Sequence, residues 1–296
     1  MGPAMRRHAV VLIIVFGLGG WMAAGQAIPP AVGAADARGL AAPDPLRFAV
    51  IGDNGDGSPE EYQVGQQMAA AHASFPFERV LMLGDNMYGS QQPKDFVDKF
   101  ERPFAALLKA GIPFHAAIGN HDSKATLVYT GFNMGGRRYY TFTSKNVQFL
   151  VFDTNLLDRA QLEWIEQSLS RSQADWKIAY FHHPLYSSGD RHGSNVQLRV
   201  SLEPLLVTHG VNVVFTGHDH TYERLVAQKG IVHFVEGSSG RLRKGGLTPS
   251  AKTAASFDQD QTFVLVEISG SEMSFRTVSR TGRIVDSGVI RLQPRT

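Results

Sequence analysis

Short apolar runs that stop at a polar cluster punctuate the first two thirds of the chain. Arg47–Gly52 ends in Gly-Asp, and Arg79–Gly84 does the same. Pro113–Gly119 ends in Gly-Asn-His-Asp, Lys177–Phe181 in His-His-Pro, and Val211–Thr216 in Gly-His-Asp-His. Runs of this length, bounded by turn residues, predict buried strands, and Asn146–Asp153 adds a sixth. Between them apolar residues return at helical intervals. Glu60–Ala73 has that spacing, as do Phe96, Phe100, Phe104, Leu107 and Leu108. Asp158–Ser172 predicts an amphipathic helix capped by Asp158, and Val196–His209 predicts another. The rhythm then changes. Ile231–Glu236, Thr262–Ile268, Met273–Val278 and Ile284–Leu292 follow as strand-like segments with no helix between them. One α/β domain over 47–296 with a β-rich tail is the simplest division, since no internal repeat or second linker interrupts it.

In open α/β sheets ligands gather beyond the carboxyl ends of the strands. The polar clusters are therefore expected to converge on one edge. They are Gly52-Asp53-Asn54-Gly55, Gly84-Asp85-Asn86-Met87-Tyr88, Gly119-Asn120-His121-Asp122, His182-His183-Pro184 and Gly217-His218-Asp219-His220. Together they offer carboxylates, imidazoles, an amide oxygen and a phenol. Oxygen donors with imidazoles and no thiolate suit iron, zinc or manganese. The donors outnumber what one ion can use, so two ions about 3.5–4 Å apart sharing a carboxylate is the natural solution. Glycine ahead of the key residues is expected to let the backbone turn sharply at the strand ends.

Composition narrows the rest. The chain has 296 residues, no cysteine and a formal net charge of +2. Disulfides, thiolate metal sites and thiol catalysis are excluded, and no basic field for nucleic-acid binding is present. At the N-terminus Arg6, Arg7 and His8 precede an uncharged run from Ala9 to Gly25 and then small residues. That layout predicts a signal peptide or an N-terminal anchor over 1–27. The run sits at the short edge of what spans a bilayer and holds Gly17, Gly19 and Gly20, which favours cleavage. Residues 28–46, rich in Pro, Ala and Gly, read as a tether. The expected location is exported, periplasmic or extracellular, and membrane-anchored only if the leader stays uncleaved.

With those motifs in hand, residues 47–296 resemble the calcineurin-like metallophosphoesterases. The set GDxG, GDxxY, GNH[DE], HxP and GHxH is most similar to the single-domain, tartrate-resistant-like purple acid phosphatases. Tyr88 is the discriminator, and Gly55 stands where most other members of the superfamily have histidine. The resemblance implies a four-layer α/β/β/α sandwich, two mixed β-sheets flanked by helices. It implies hydrolysis of phosphate monoesters by metal-bound hydroxide. Asp53, Asp85, Tyr88 and His220 would hold Fe(III), while Asp85, Asn120, His182 and His218 would hold divalent Fe, Zn or Mn, with Asp85 bridging. His121 would donate a proton, and His192 is a second substrate-facing candidate. Phosphate esters of small molecules or phosphoproteins are the expected substrates.

The chemistry is consistent with those roles. A trivalent ion makes hydroxide available in mild acid, a second ion offsets phosphate charge, and His121 as imidazolium suits the leaving oxygen. Asp122 or Asp219 is expected to orient ligand imidazoles. Arg138 reads as a phosphate-side cation or simply the residue before a strand. Tyr222, Glu223 and Arg224 would line the site or form an ion pair. Arg241, Arg243 and Lys244 make a cationic loop that reads as an exposed turn or an attractor of phosphate. A phosphodiesterase or nucleotidase using the same site, and a non-catalytic binding protein on the same fold, are the alternatives. Specificity is expected to lie in loops 123–138, 184–195 and 238–260.

Overall fold

A computed structural model describes residues 44–292. The expected leader or anchor lies outside the described residues, as does nearly all of the expected tether. In chain order the first strands are β1 (Leu46–Ile51), β2 (Val80–Met82), β3 (Phe114–Ala116), β4 (Tyr140–Ser144), β5 (Val147–Val151) and β6 (Trp176–Tyr180). They are followed by β7 (Val213–Thr216), β8 (Tyr222–Leu225), β9 (Val232–Glu236), β10 (Thr253–Phe257), β11 (Thr262–Ser269), β12 (Glu272–Ser279) and β13 (Ile284–Arg291). The helices are α1 (Pro59–Ser74), α2 (Pro93–Phe96), α3 (Ala105–Lys109), α4 (Lys124–Val128), α5 (Arg159–Ser170) and α6 (Val196–Thr208).

The strands form two mixed sheets. One has the order β13-β12-β11-β1-β2-β3, the other β10-β8-β9-β7-β6-β5-β4. In the first, β1, β2 and β3 run parallel and the β11–β13 meander joins β1 antiparallel. In the second, β5, β6, β7 and β9 run parallel, with β4 and β8 antiparallel beside them. Period-two alternation explains how the second sheet is buried on both faces. Phe149, Ile178 and Phe215 enter the core that also holds Phe48 of β1. Leu150, Ala179 and Val214, each adjacent in sequence to one of these, pack with Ile165 and Leu169 of α5 and Leu202 and Leu206 of α6. The Phe48 ring meets Phe149 edge-on at 5.4 Å and Phe215 at 6.4 Å, so the two sheets lie face to face. Helix α1 packs on β11 of the first sheet.

Helix ends follow local chemistry. Asp158 caps α5 by accepting the Gln161 N–H, as its position predicts, and Ser58 and Asn195 cap α1 and α6 in the same way. The helical spacing from Phe96 to Leu108 gives the right buried face but not one helix. Phe96, Phe100, Phe104 and Leu107 are all buried, yet α2 passes into a π-helical turn, Val97–Glu101, and α3 begins only after Pro103. Proline has no N–H to give and clashes with the preceding turn, so the helix breaks there. Strands β8 and β10 carry too little apolar alternation to be visible in sequence; pairing with β9 and with each other makes them strands. Among the described residues no helix is long and apolar enough to cross a membrane.

Candidate metal centre

The five polar clusters follow β1, β2, β3, β6 and β7, all of them parallel members of their sheets. The strand ends are stitched together by backbone bonds within each sheet, Asp53 N–H to Gly84 O and Gly217 N–H to His182 O. Side-chain bonds then cross between the sheets. The His218 N–H donates to Asp53 Oδ2 at 2.7 Å, and His182 Nδ1 pairs with Leu83 O at 3.0 Å. Asp53, Asp85 and His218 all adopt left-handed backbone, with φ of 53°, 50° and 70°. Such conformations cost non-glycine residues energy and persist where surrounding contacts over-determine them. Gly84, ahead of Asp85, supplies a left-handed turn with φ of 95°, whereas Gly217 and Gly119 do something else. A Cβ on Gly217 would collide with Asp53 Oδ2, and one on Gly119 with the backbone and carboxylate of Asp85. Their role is close approach.

All nine residues expected at the site are gathered. Tyr88 Oη donates to Asp53 Oδ1 at 2.9 Å and lies 3.1 Å from His220 Nε2, which is 3.3 Å from the same Asp53 oxygen. On the other side, His182 Nε2 lies 3.0 Å from Asn120 Oδ1, 3.1 Å from His218 Nδ1 and 3.4 Å from Asp85 Oδ1. Donor atoms of Asp53, Asp85 and His182 lie within 4.8 Å of one another, which joins the two halves. Asp85 is further held by the His121 N–H, 2.8 Å from Oδ1. The His121 ring stands 4.7 Å from that of Tyr88, with Nε2 4.0 Å from Asp85 Oδ2 and its side chain 52% exposed. The His192 ring lies 4.1 Å from the His218 ring.

This donor set fits a cation. With His182 Nδ1–H given to the Leu83 carbonyl, one Nε2 proton at most faces three acceptors. The surrounding charges point the same way. Burial of His182 opposes its charged form, but Asp85 and Asp53 outweigh it and raise the imidazole to about 9. Asp85 is itself desolvated, yet His182 and the His121 N–H hold it well below the usual carboxylate range. Burial pushes the Tyr88 phenol far above its ordinary value, and Asp53 and Asp85 push it further. A phenolate there requires a strong positive charge beside it. Burial, with His182 and His183 adding repulsion, lowers His218 to about 2, which leaves it neutral. His183 is lowered to about 3 by burial and bonds Thr154 Oγ1 through Nδ1.

Several expectations around the site are corrected. Asp122 and Asp219 reach no imidazole nitrogen. Asp122 accepts the backbone N–H groups of Asn86, Met87 and Gly119, which moulds the loops carrying Asp85 and Asn120. Burial pushes it up to about 7. Asp219 accepts the N–H groups of His192 and Gly193. Arg138 is no phosphate-side cation: it pairs with Asp153 at 2.7 Å and Asp158 at 2.9 Å, just before β4. Arg224 forms the expected ion pair, with Asp286 at 2.7 Å. One feature went unread in the sequence and a second was legible only in part. Glu236, fully buried, accepts Thr262 Oγ1, Ser238 Oγ and Ser239 Oγ, and Ser239 Oγ accepts the N–H of Gly52 beside Asp53. Arg191, Arg241 and Arg243 line the roughly 630 Å³ cavity over the centre, with Asp56, Glu60, His121 and His192. Arg241 and Arg243 belong to the cationic loop expected as an exposed turn or an attractor of phosphate, and nothing in the sequence signalled that Arg191 joins them.

Comparison with known proteins agrees with this geometry. The family model for the calcineurin-like phosphoesterases matches residues 46–222. Tartrate-resistant acid phosphatase type 5 of Sus scrofa is 29% identical, over 82% of this chain and 86% of the relative. Among solved structures, GAP50, described as the anchor in the inner membrane complex of Plasmodium, superposes with a TM-score of 0.76 and 21% identity over 85% of this chain and 90% of that one. A purple acid phosphatase from yellow lupin (Lupinus luteus) seeds gives 0.68 and 20% over 84% of this chain and 54% of that one.

Proposed function

The chain belongs to the calcineurin-like phosphoesterase family, and from that premise we propose that it hydrolyses phosphate monoesters at a two-metal centre. One observation carries this reading: seven oxygen and nitrogen donors from five strand ends meet within bonding reach of one another, with Asp85 between the two groups. Asp53, Asp85, Tyr88 and His220 would hold one ion, proposed as ferric. Asp85, Asn120, His182 and His218 would hold the other, proposed as divalent Fe, Zn or Mn. Such a pair, when bound, acidifies water and offsets phosphate charge.

The rest falls to the chain's own groups. The His121 N–H fixes Asp85 in its shared position. The His121 ring is the exposed imidazole beside the centre, placed to pass a proton to the leaving oxygen. His192, its ring tilted against that of His218 and also exposed, faces the same cavity as a second substrate-side group. His218 turns Nδ1 toward His182 Nε2, and His182 keeps Nε2 turned inward through its bond to Leu83.

Metal analysis of purified protein combined with a phosphatase assay tests this reading. Iron with a second metal, a visible tyrosinate band, and faster cleavage of an aryl phosphomonoester than of an aryl phosphodiester are expected. A faster diester reaction would favour the phosphodiesterase or nucleotidase alternative. The likeness to GAP50 favours a second reading, a non-catalytic binding protein on this fold; absence of turnover with both metals bound would select it. Export is likewise proposed, and the N-terminal residue of the mature protein tests it.

A further inference from the structure

The cavity over the centre has a wall that the proposed chemistry does not use. Arg241 is engaged: its guanidinium lies 4.0 Å over the Tyr88 ring and 3.8 Å from Asp56. Arg191 and Arg243 line the same cavity without an ion-pair partner among the described residues. Their two loops are zipped together. Asp190 N–H donates to Gly246 O, Thr248 N–H to Ser188 O, and Gly189 bridges Leu247. Both loops are also pinned to the segment that carries His218 and His220. Arg243 N–H donates to His220 O at 2.8 Å, and the N–H groups of His192 and Gly193 donate to the Asp219 carboxylate. The two cations therefore share the cavity wall with His192, next to the metal centre rather than in it. Of the half-buried carboxylates Asp56 and Glu60 in the cavity wall, Glu60 lies in the first turn of α1, and Asp56, in the loop before it, already faces Arg241.

Two guanidinium groups without ion-pair partners, lining one cavity over an ester-cleaving centre, are a site for a planar or tetrahedral oxyanion. Resting on the reading of the centre proposed above, we infer that Arg191 and Arg243 form a second phosphate subsite and that preferred substrates are phosphate esters carrying a further phosphate group.

Two substrate pairs test this, fructose 1,6-bisphosphate against fructose 6-phosphate and adenosine 3′,5′-bisphosphate against AMP, which sample different spacings of the two ester phosphates. The expected result is a higher kcat/KM for the doubly phosphorylated member of at least one pair. Arg191→Ala and Arg243→Ala should each reduce that preference roughly tenfold or more, mainly through KM. Binding gives a readout independent of turnover. Titration calorimetry with methylenediphosphonate against methylphosphonate should show tighter diphosphonate binding that both variants weaken. No preference in either pair, or a preference that survives both substitutions, overturns the subsite. An aryl phosphate that is not cleaved at all would instead overturn the proposed function, so the two failures are distinguishable.

Discussion

The backbone N–H of His218 donates to Asp53 Oδ2 at 2.7 Å, and both residues sit in left-handed backbone at the ends of strands from different sheets. This bond closes the seam between the sheets at the point where the donors gather. Gly217 makes it possible, since its missing Cβ leaves the space that Asp53 Oδ2 occupies. Gly217→Ala should therefore displace Asp53 and lower turnover on the order of 100-fold, the scale on which a small misplacement acts. Kinetics together with metal content check this, and a variant of unchanged activity would refute it.

Asp85 lies between both halves of the centre, its donor atom within 4.8 Å of those of Asp53 and His182, and is held by the His121 N–H. Asp85→Asn should release both metals and lower kcat on the order of 100- to 1000-fold. Elemental analysis after dialysis decides the matter. Loss of one metal with full retention of the other would remove Asp85 from the shared position.

His121 has a half-exposed ring and no side-chain bond that supports the fold. His121→Ala should leave metal content and melting temperature as they are, and lower kcat by about 100- to 10,000-fold. A loss of metal equal to that of Asp85→Asn would assign His121 to the ligands instead.

Tyr88→Phe removes the phenol that Asp53 and His220 both contact. With iron retained, its visible absorption should disappear while the fold persists, because the ring stays buried. A band that survives the substitution would place the chromophore elsewhere.

Glu236 gives the molecule a pH-dependent stability away from the reacting groups. Burial raises its carboxyl to about 8, from 4.5 in an unfolded chain. The folded state thus keeps a proton that the unfolded state releases. This contribution is fully present below about pH 4.5 and is lost as pH climbs toward 8. Thermal melts of the metal-free protein should show Tm falling across that window, and Glu236→Gln should flatten the fall. A variant with the same slope would show that other groups set it.

Apolar runs and helical spacing sufficed to locate most strands and α1, α5 and α6, because each of those elements buries a face that its own periodicity announces. They also placed Asp53, Asp85, Asn120, His182 and His218 at strand ends, and the order of the motifs made Tyr88, His121 and His220 legible beside them. What periodicity could not carry was contact between distant segments. Strands β8 and β10 exist only through pairing with neighbours. The helix from Phe96 breaks because Pro103 withholds an N–H and α3 restarts beyond it. Asp122 and Asp219 turned out to hold backbone N–H groups rather than imidazoles.

The local chain thus determined which donors exist and that each ends a strand, since those properties depend on residues a few positions apart. Only the tertiary structure decided that Gly217 and Gly119 serve close approach, that Glu236 braces the Gly52 turn, and that Arg191 and Arg243 share a wall. Those facts depend on the packing of two sheets and on loops zipped together across the cavity mouth, and no spacing along the chain encodes them.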